Sequence, residues 1–150
     1  MGPADSRTIE LPPDLSALER LAGFLETFGT DHGIPPGPLL QVNLALDELL
    51  TNAITHGGST EPIEVEVGLD GTRLRAEIRD RGRRFDPLRD APPPDLDSPL
   101  EERRIGGLGI HMVKKTMDSV DYEWTGDQNR VRIEKRLDPP PAGRGPRSDG

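Results

Sequence analysis

The chain contains no cysteine, which excludes disulfides, thiolate zinc sites and a cysteine nucleophile. Histidine is scarce, at positions 32, 56 and 111 only, so there is little material for a histidine-based metal centre. No apolar run approaches the roughly 18 residues needed to span a bilayer, and MGPADSRTIE lacks the apolar stretch of a signal peptide. A soluble, cytoplasmic protein without a membrane partner is the expectation. Positive charge is not in excess either: the net charge is −8, whereas nonspecific binding to nucleic acid or an anionic membrane needs a positive footprint.

What is present suits one domain. The 150 residues can surround a single core, and the 32% of apolar residues rises to about 43% with the 17 glycines, close to the roughly 45–50% of globular chains. Charge is divided unevenly. Residues 1–71 carry two Arg against twelve acids, whereas residues 72–115 carry eleven Lys/Arg against eight acids. The cluster Arg73, Arg75, Arg79, Arg81, Arg83 and Arg84 is either a solvated basic strand face or a holder of an anion or acidic partner.

Residues 1–6 read as a flexible end and 7–11 as a strand. Asp14 or Ser16 can cap a helix in which Leu15, Leu18, Leu21, Ala22, Leu25 and Phe28 form one face, stopping near Gly29. A second, largely buried helix spans 39–56 and ends at Gly57-Gly58. Strands 63–69 and 73–80 flank the Asp70-Gly71 turn signal of a hairpin. Residues 81–107 hold five prolines without periodicity, the length and composition of a lid at about 87–106. A third helix follows Gly106-Gly-Leu-Gly109 and runs to about Met117. Strands 120–124 and 131–137 then flank a turn at Gly126-Asp127, and 138–150 read as a flexible Pro/Gly-rich tail. Hairpins outnumber crossovers, so the economical arrangement is an α/β (α+β) two-layer sandwich: a mixed, mostly antiparallel sheet covered on one face by three helices.

Three features carry chemistry. Glu48 and Asn52 stand four residues apart on the second helix and share a face. They point into a ligand cleft, where a carboxylate serves as general base and an amide oxygen ligates Mg²⁺, or they belong to a solvent stripe with Asp47, Thr51 and Thr55. Asp80-Arg-Gly-Arg-Arg-Phe-Asp-Pro87 ends a strand. Its Asp80 is either an acceptor for an exocyclic amine such as adenine's, with Gly82 permitting close backbone approach, or part of an ordinary turn. Gly106-Gly-Leu-Gly109 runs into a helix whose free N–H groups can receive phosphates, without Rossmann spacing and with no Walker A sequence in the chain.

In their order these segments resemble the boxes of the GHKL ATPase superfamily (Bergerat fold). Glu48-Leu-Leu-Thr-Asn52-Ala-Ile-Thr-His56-Gly looks like the N box, Asp80-Arg-Gly82-Arg-Arg-Phe85-Asp-Pro the G1 box and Gly106-Gly-Leu-Gly109-Ile the G2 box. Phe-Asp-Pro after the G1 box and Leu108-Gly-Ile-His-Met-Val-Lys-Lys are most similar to the anti-sigma factor serine/threonine kinase branch. The resemblance spans roughly residues 8–137. It implies a homodimeric kinase using ATP and Mg²⁺ that phosphorylates a Ser or Thr of a STAS-domain anti-anti-sigma antagonist and in many members sequesters a sigma factor. By position, Glu48 would activate the attacking hydroxyl, Asn52 hold Mg²⁺ and Asp80 read the adenine amine. Gly82 and Phe85 would shape the base pocket, with Gly106, Gly107, Leu108 and Gly109 over the phosphates.

Arg84 stands where the wider superfamily often has a second glycine. Arg103 and Arg104 precede the G2 box. Arg104 would stabilise charge on the transferring phosphoryl group, unless both arginines pair with Glu101 and Glu102 on the surface. His56, Tyr122 and Trp124 read as packing residues. The competing reading is a non-catalytic module that sequesters a sigma factor or another regulator.

Overall fold

The computed structural model describes residues 5–90 and 107–137. Its elements are β1 (Asp5–Leu11), α1 (Ala17–His32), α2 (Pro36–Asn52) continuing into a π-helical turn (Ala53–Gly57), β2 (Ile63–Asp70), β3 (Arg73–Asp80), α3 (Pro87–Asp90), α4 (Gly107–Thr116), β4 (Ser119–Thr125) and β5 (Gln128–Arg136). One five-stranded sheet runs in the order β1-β2-β3-β5-β4. All its pairings among the described residues are antiparallel, so the expected mixed sheet is corrected. The physical reason is the second hairpin. The connection after β3 delivers β4 to the far edge, and β5 returns into the gap beside β3. Glycines at positive φ, Gly71 and Gly126, open the two-residue loops of both hairpins.

Several boundaries differ from expectation for reasons that lie outside the local sequence. Asp5 and Ser6 are not a loose end, because they pair with Leu69 and Gly68 of β2. α1 passes through Gly29 and stops at Gly33, whose φ is 63°. There Ile34 N–H donates to Gly29 O at 2.9 Å and Gly33 N–H to Thr30 O, a Schellman ending. Gly29 is a packing glycine, since a Cβ there would run into the Leu39 side chain of α2. Asp14 acts at the helix start by accepting the Ser16 N–H and hydroxyl, and Ser16 itself caps nothing with its side chain. α2 begins at Pro36, in the first turn, where the missing N–H costs nothing. β5 starts at Gln128, three residues before the expected Val131. The expected lid opens as the short helix α3, a fourth helix. Its remainder from 91 lies outside the described residues, as do 1–4 and the 138–150 tail.

Phe28, Leu21 and Leu25 of α1 and Val42, Leu46 and Leu50 of α2 share one core with Ile63, Val65, Leu74, Ile78 and Ile133 of the sheet. Burial of each such side chain contributes about 1.5–3 kcal/mol, so α2 is anchored along its length. The other sheet face is charged. Arg79 meets Glu64 at 3.0 Å, Glu66 at 3.1 Å and Glu77 at 2.6 Å, and Arg132 meets Glu77 at 2.9 Å. Arg73 and Arg75 pair with Glu134, and Arg81 with Asp127. Arg73, Arg75 and Arg79 thus stand on the charged face of β3 and are paired with acids, whereas Arg81, Arg83 and Arg84 follow the strand in the loop toward the site.

Candidate active site

Helix α2 brings Glu48 and Asn52 to one face, and Asn52 Nδ2 donates to Glu48 Oε2 at 3.2 Å. Asn52 is 2% exposed, so the pair is no solvent stripe. With its nitrogen spent on Glu48, the amide oxygen of Asn52 is the atom left for a hard cation. Glu48 is half-buried, and burial raises its pKa against the opposing Asn52 hydrogen bond. α4 approaches so closely that a Cβ on Gly109 would collide with the Glu48 carboxylate. Gly107 opens α4; Arg103, Arg104 and Gly106 lie outside the described residues, and Leu108 is described only as helical backbone.

Asp80 ends β3 at 4% exposure. Its Oδ1 accepts Gly82 N–H at 2.9 Å and Asn129 Nδ2 at 3.1 Å, which leaves the second oxygen for the pocket that Asp80 lines. Burial raises the Asp80 pKa, and the two hydrogen bonds oppose it. Asn52, Asp80, Phe85 and Asn129 all line this narrow pocket, over a floor of Leu49, Ile78 and Val131. Two of the three boxes therefore converge on one cavity, and Gly109 of the third closes on Glu48 beside it. A larger hollow on the charged outer sheet face, around Gly68 and Arg75, contains none of the expected site residues.

The G1 segment is held by backbone contacts. A Cβ on Gly82 would stand 2.6 Å from Gly57 O and 3.0 Å from Ser59 N, so Gly82 is required by packing on the end of the π-helical turn. Arg83 N–H donates to the same Gly57 O at 2.8 Å. The π-helical turn that presents this carbonyl follows Asn52 directly, and such turns are frequent at functional sites. His56, on that turn, stacks on Phe85 with ring centroids 4.7 Å apart. The Arg84 guanidinium lies over the Trp124 ring and outside the pocket lining.

Sequence reasoning missed Asn129. It is 2% exposed, directly opposite Asp80, and its amide binds Asp80, Arg83 O, Phe85 N–H and the Tyr122 hydroxyl. One signal was available: Asn129 shares the inward register of Val131 and Ile133, a polar residue where the pattern asks for an apolar one.

Residues 11–135 match the histidine kinase-like ATPase domain. The chain is similar to the serine-protein kinase RsbW of Listeria monocytogenes, 29% identical over 124 residues that cover 77% of this chain and 78% of that protein. It is also similar to the anti-sigma F factor of a Thermoanaerobacter species, 28% identical over 102 residues covering 66% and 71%. One name carries the serine-kinase activity and the other the anti-sigma role that together mark the branch the boxes resemble. In fold it resembles a solved structure of RsbU and RsbW domains from Mycobacterium tuberculosis, with TM-score 0.66 and 19% identity over 90% of this chain. This chain spans about a third of that longer one, 32%. With the family match running from the last residue of β1 almost to the end of β5, the chain belongs to the histidine kinase-like ATPase domain family.

Proposed function

We propose that the chain is an anti-sigma factor protein serine/threonine kinase, which uses ATP and Mg²⁺ to phosphorylate a STAS-domain anti-anti-sigma antagonist in a partner-switching pathway. The carrying observation is the hydrogen-bonded Glu48–Asn52 pair beside the pocket of Asp80. Asp80 accepts the adenine N6 amine through its unbonded oxygen, and Phe85 flanks the base. Asn52 holds Mg²⁺ through its amide oxygen, the donor type hard cations select. The α4 N-terminus, opened by Gly107, receives the phosphates on free backbone N–H groups with Gly109. Gly106 and Arg104, which lie outside the described residues, are assigned by their place in the sequence to the phosphates and to positive charge on the transferring group.

When bound, Mg²⁺–ATP supplies the γ-phosphoryl group. Glu48 takes the proton of the acceptor Ser or Thr hydroxyl as that oxygen bonds to phosphorus and the bridging oxygen leaves with ADP. Partial burial favours this, because a carboxylate raised in pKa holds the proton better. A sigma factor is the second partner and the homodimer the working unit.

The sequestering-module reading draws on Arg84 in place of a second G1 glycine and on the polar, proline-rich lid; Arg84 lies over Trp124 and outside the pocket lining, which weakens the first ground. The organism's STAS-domain anti-anti-sigma proteins, purified singly, should be incubated with this chain, Mg²⁺ and γ-labelled ATP. Labelling of one of them on Ser or Thr is expected. Binding of such a protein without transfer would replace the kinase with the sequestering module.

A further inference from the structure

One ridge of α2, at four-residue spacing, runs from solvent into the site: Leu40, Leu44, Glu48, Asn52. Exposure falls along it from 56% at Leu40 and 45% at Leu44 to 2% at Asn52. A helical turn rises 5.4 Å, so Leu44 stands about 5–6 Å from Glu48 and Leu40 about 11 Å. Single exposed leucines are ordinary. Two in succession on the ridge that ends in the candidate base form a continuous strip.

The neighbouring ridge carries Asn43 and Asp47, whose Oδ1 atoms are both buried without a hydrogen-bond partner. Residues 21–72 contain no lysine or arginine. This face therefore offers apolar surface beside acidic side chains, with no cation on its own segment.

We propose that the strip is the docking surface for the acceptor protein. An apolar segment of the acceptor covers Leu40 and Leu44 and directs a lysine or arginine to the Asp47 carboxylate, which sets the acceptor hydroxyl beside Glu48. The inference rests on the kinase reading above. Charge selects this occupant over a second copy of the chain, whose α2 would bring the same acids and no cation to a two-fold contact. Proximity gives the surface its use, since transfer needs the hydroxyl held within reach of the base.

The test uses the full chain and the STAS-domain protein that it phosphorylates. Leu40→Gln/Leu44→Gln keeps good helix formers at exposed positions, so folding is retained, as circular dichroism checks. KM for the acceptor should rise about tenfold or more, with kcat at saturating acceptor and the ATP Kd unchanged within about twofold. Asp47→Asn should also raise that KM and flatten its dependence on salt. An unchanged acceptor KM in the double variant, with wild type active, overturns the docking surface and leaves the kinase reading standing. A parallel rise in the ATP Kd overturns it too, by making the leucines part of the nucleotide site. Conversion of a dimer to a monomer by the double variant, seen in light scattering, would assign the strip to a second copy and reject the acceptor. If wild type labels no STAS-domain protein, the kinase reading falls and the docking surface with it.

Discussion

Asn129 and Asp80 stand directly opposite each other across the β3–β5 pairing, and the Asn129 amide donates to the Asp80 carboxylate at 3.1 Å. All four hydrogen-bonding positions of this amide are occupied, two as donors and two as acceptors. Asn129 thereby ties the G1 segment to β5 and to Tyr122 on β4.

Asn129→Ala should accordingly be costly although it removes no apolar contact. It leaves the Asp80 carboxylate, Arg83 O, Phe85 N–H and the Tyr122 hydroxyl short of a partner. Each unmet buried group costs about 1–3 kcal/mol, and entering water offsets part of the total, so a loss on the order of 2–4 kcal/mol is expected. The urea midpoint reads it, with the slope unchanged. A loss below about 1 kcal/mol would show that the network is slack.

Much of the fold was legible because its signals are local. Apolar spacing marked α1 and α2, and glycine-containing turns marked both hairpins. Where the sequence misled, the deciding contact lay elsewhere in the chain. Gly29 looked like a helix stop, but Leu39 of the neighbouring helix is what requires it to be glycine, and Gly33 carries the stop. Asn129 fell outside the expected strand 131–137, and nothing in the order β3, α4, β4, β5 announces that β5 returns beside β3. Spacing put Glu48 and Asn52 on one helix face, a local property, and the structure sets Asn52 and Asp80 on one pocket. The surroundings that hold Asp80 were not legible.

Asp80→Asn should weaken ATP binding by about 1–3 kcal/mol, the usual consequence of a mismatched buried polar group. Its carboxylate accepts from the adenine N6 amine but would face the guanine O6 acceptor, so wild type should discriminate strongly against GTP. Calorimetric titration with both nucleotides measures this. Equal affinities for ATP and GTP would remove Asp80 from base reading.

Asp47 links stability to pH. Burial pushes its pKa up to about 6, so the folded state holds the proton more tightly than the unfolded chain does. An acid raised in this way imposes no penalty below the unfolded value near 4, and its penalty grows as pH rises through about 6. Asp47→Asn should therefore stabilise the protein at pH 7.5 and have little effect at pH 4. The side chain is only half-buried, and solvent screening discounts the gain to about 1 kcal/mol. Urea midpoints of both proteins across this range test the sign. A variant less stable than wild type at pH 7.5 would show that the carboxylate has a stabilising partner in solution.

Glu48→Gln keeps the size of the side chain and removes the base. Phosphoryl transfer should fall by roughly 10²–10⁴-fold, with the ATP Kd nearly unchanged. Asn52→Ala should instead lose the Mg²⁺ dependence of nucleotide binding, because it removes the amide oxygen assigned to the cation. Single-turnover transfer and calorimetry with and without Mg²⁺ separate the two. Full transfer by Glu48→Gln would end the base assignment.

Gly109→Ala probes the contact between α4 and Glu48. The new Cβ would run into the Glu48 carboxylate and its Cγ, so the whole flexible side chain must swing aside for the helix to stay in place. Alanine also gains about 0.8–1.0 kcal/mol of helix propensity over glycine, so thermal stability should hold or rise. Transfer should nevertheless fall about tenfold or more, because a displaced base no longer meets the acceptor hydroxyl. Gly109→Ala also changes the segment assigned to the phosphates, and a second route to lost activity must be separated from the first. The double variant Glu48→Gln/Gly109→Ala does so. If the methyl acts only by displacing Glu48, the double variant should be no slower than Glu48→Gln alone, since residues acting as one unit are not additive. Multiplicative losses would place the effect of Gly109 on the phosphates and leave the position of Glu48 independent of α4.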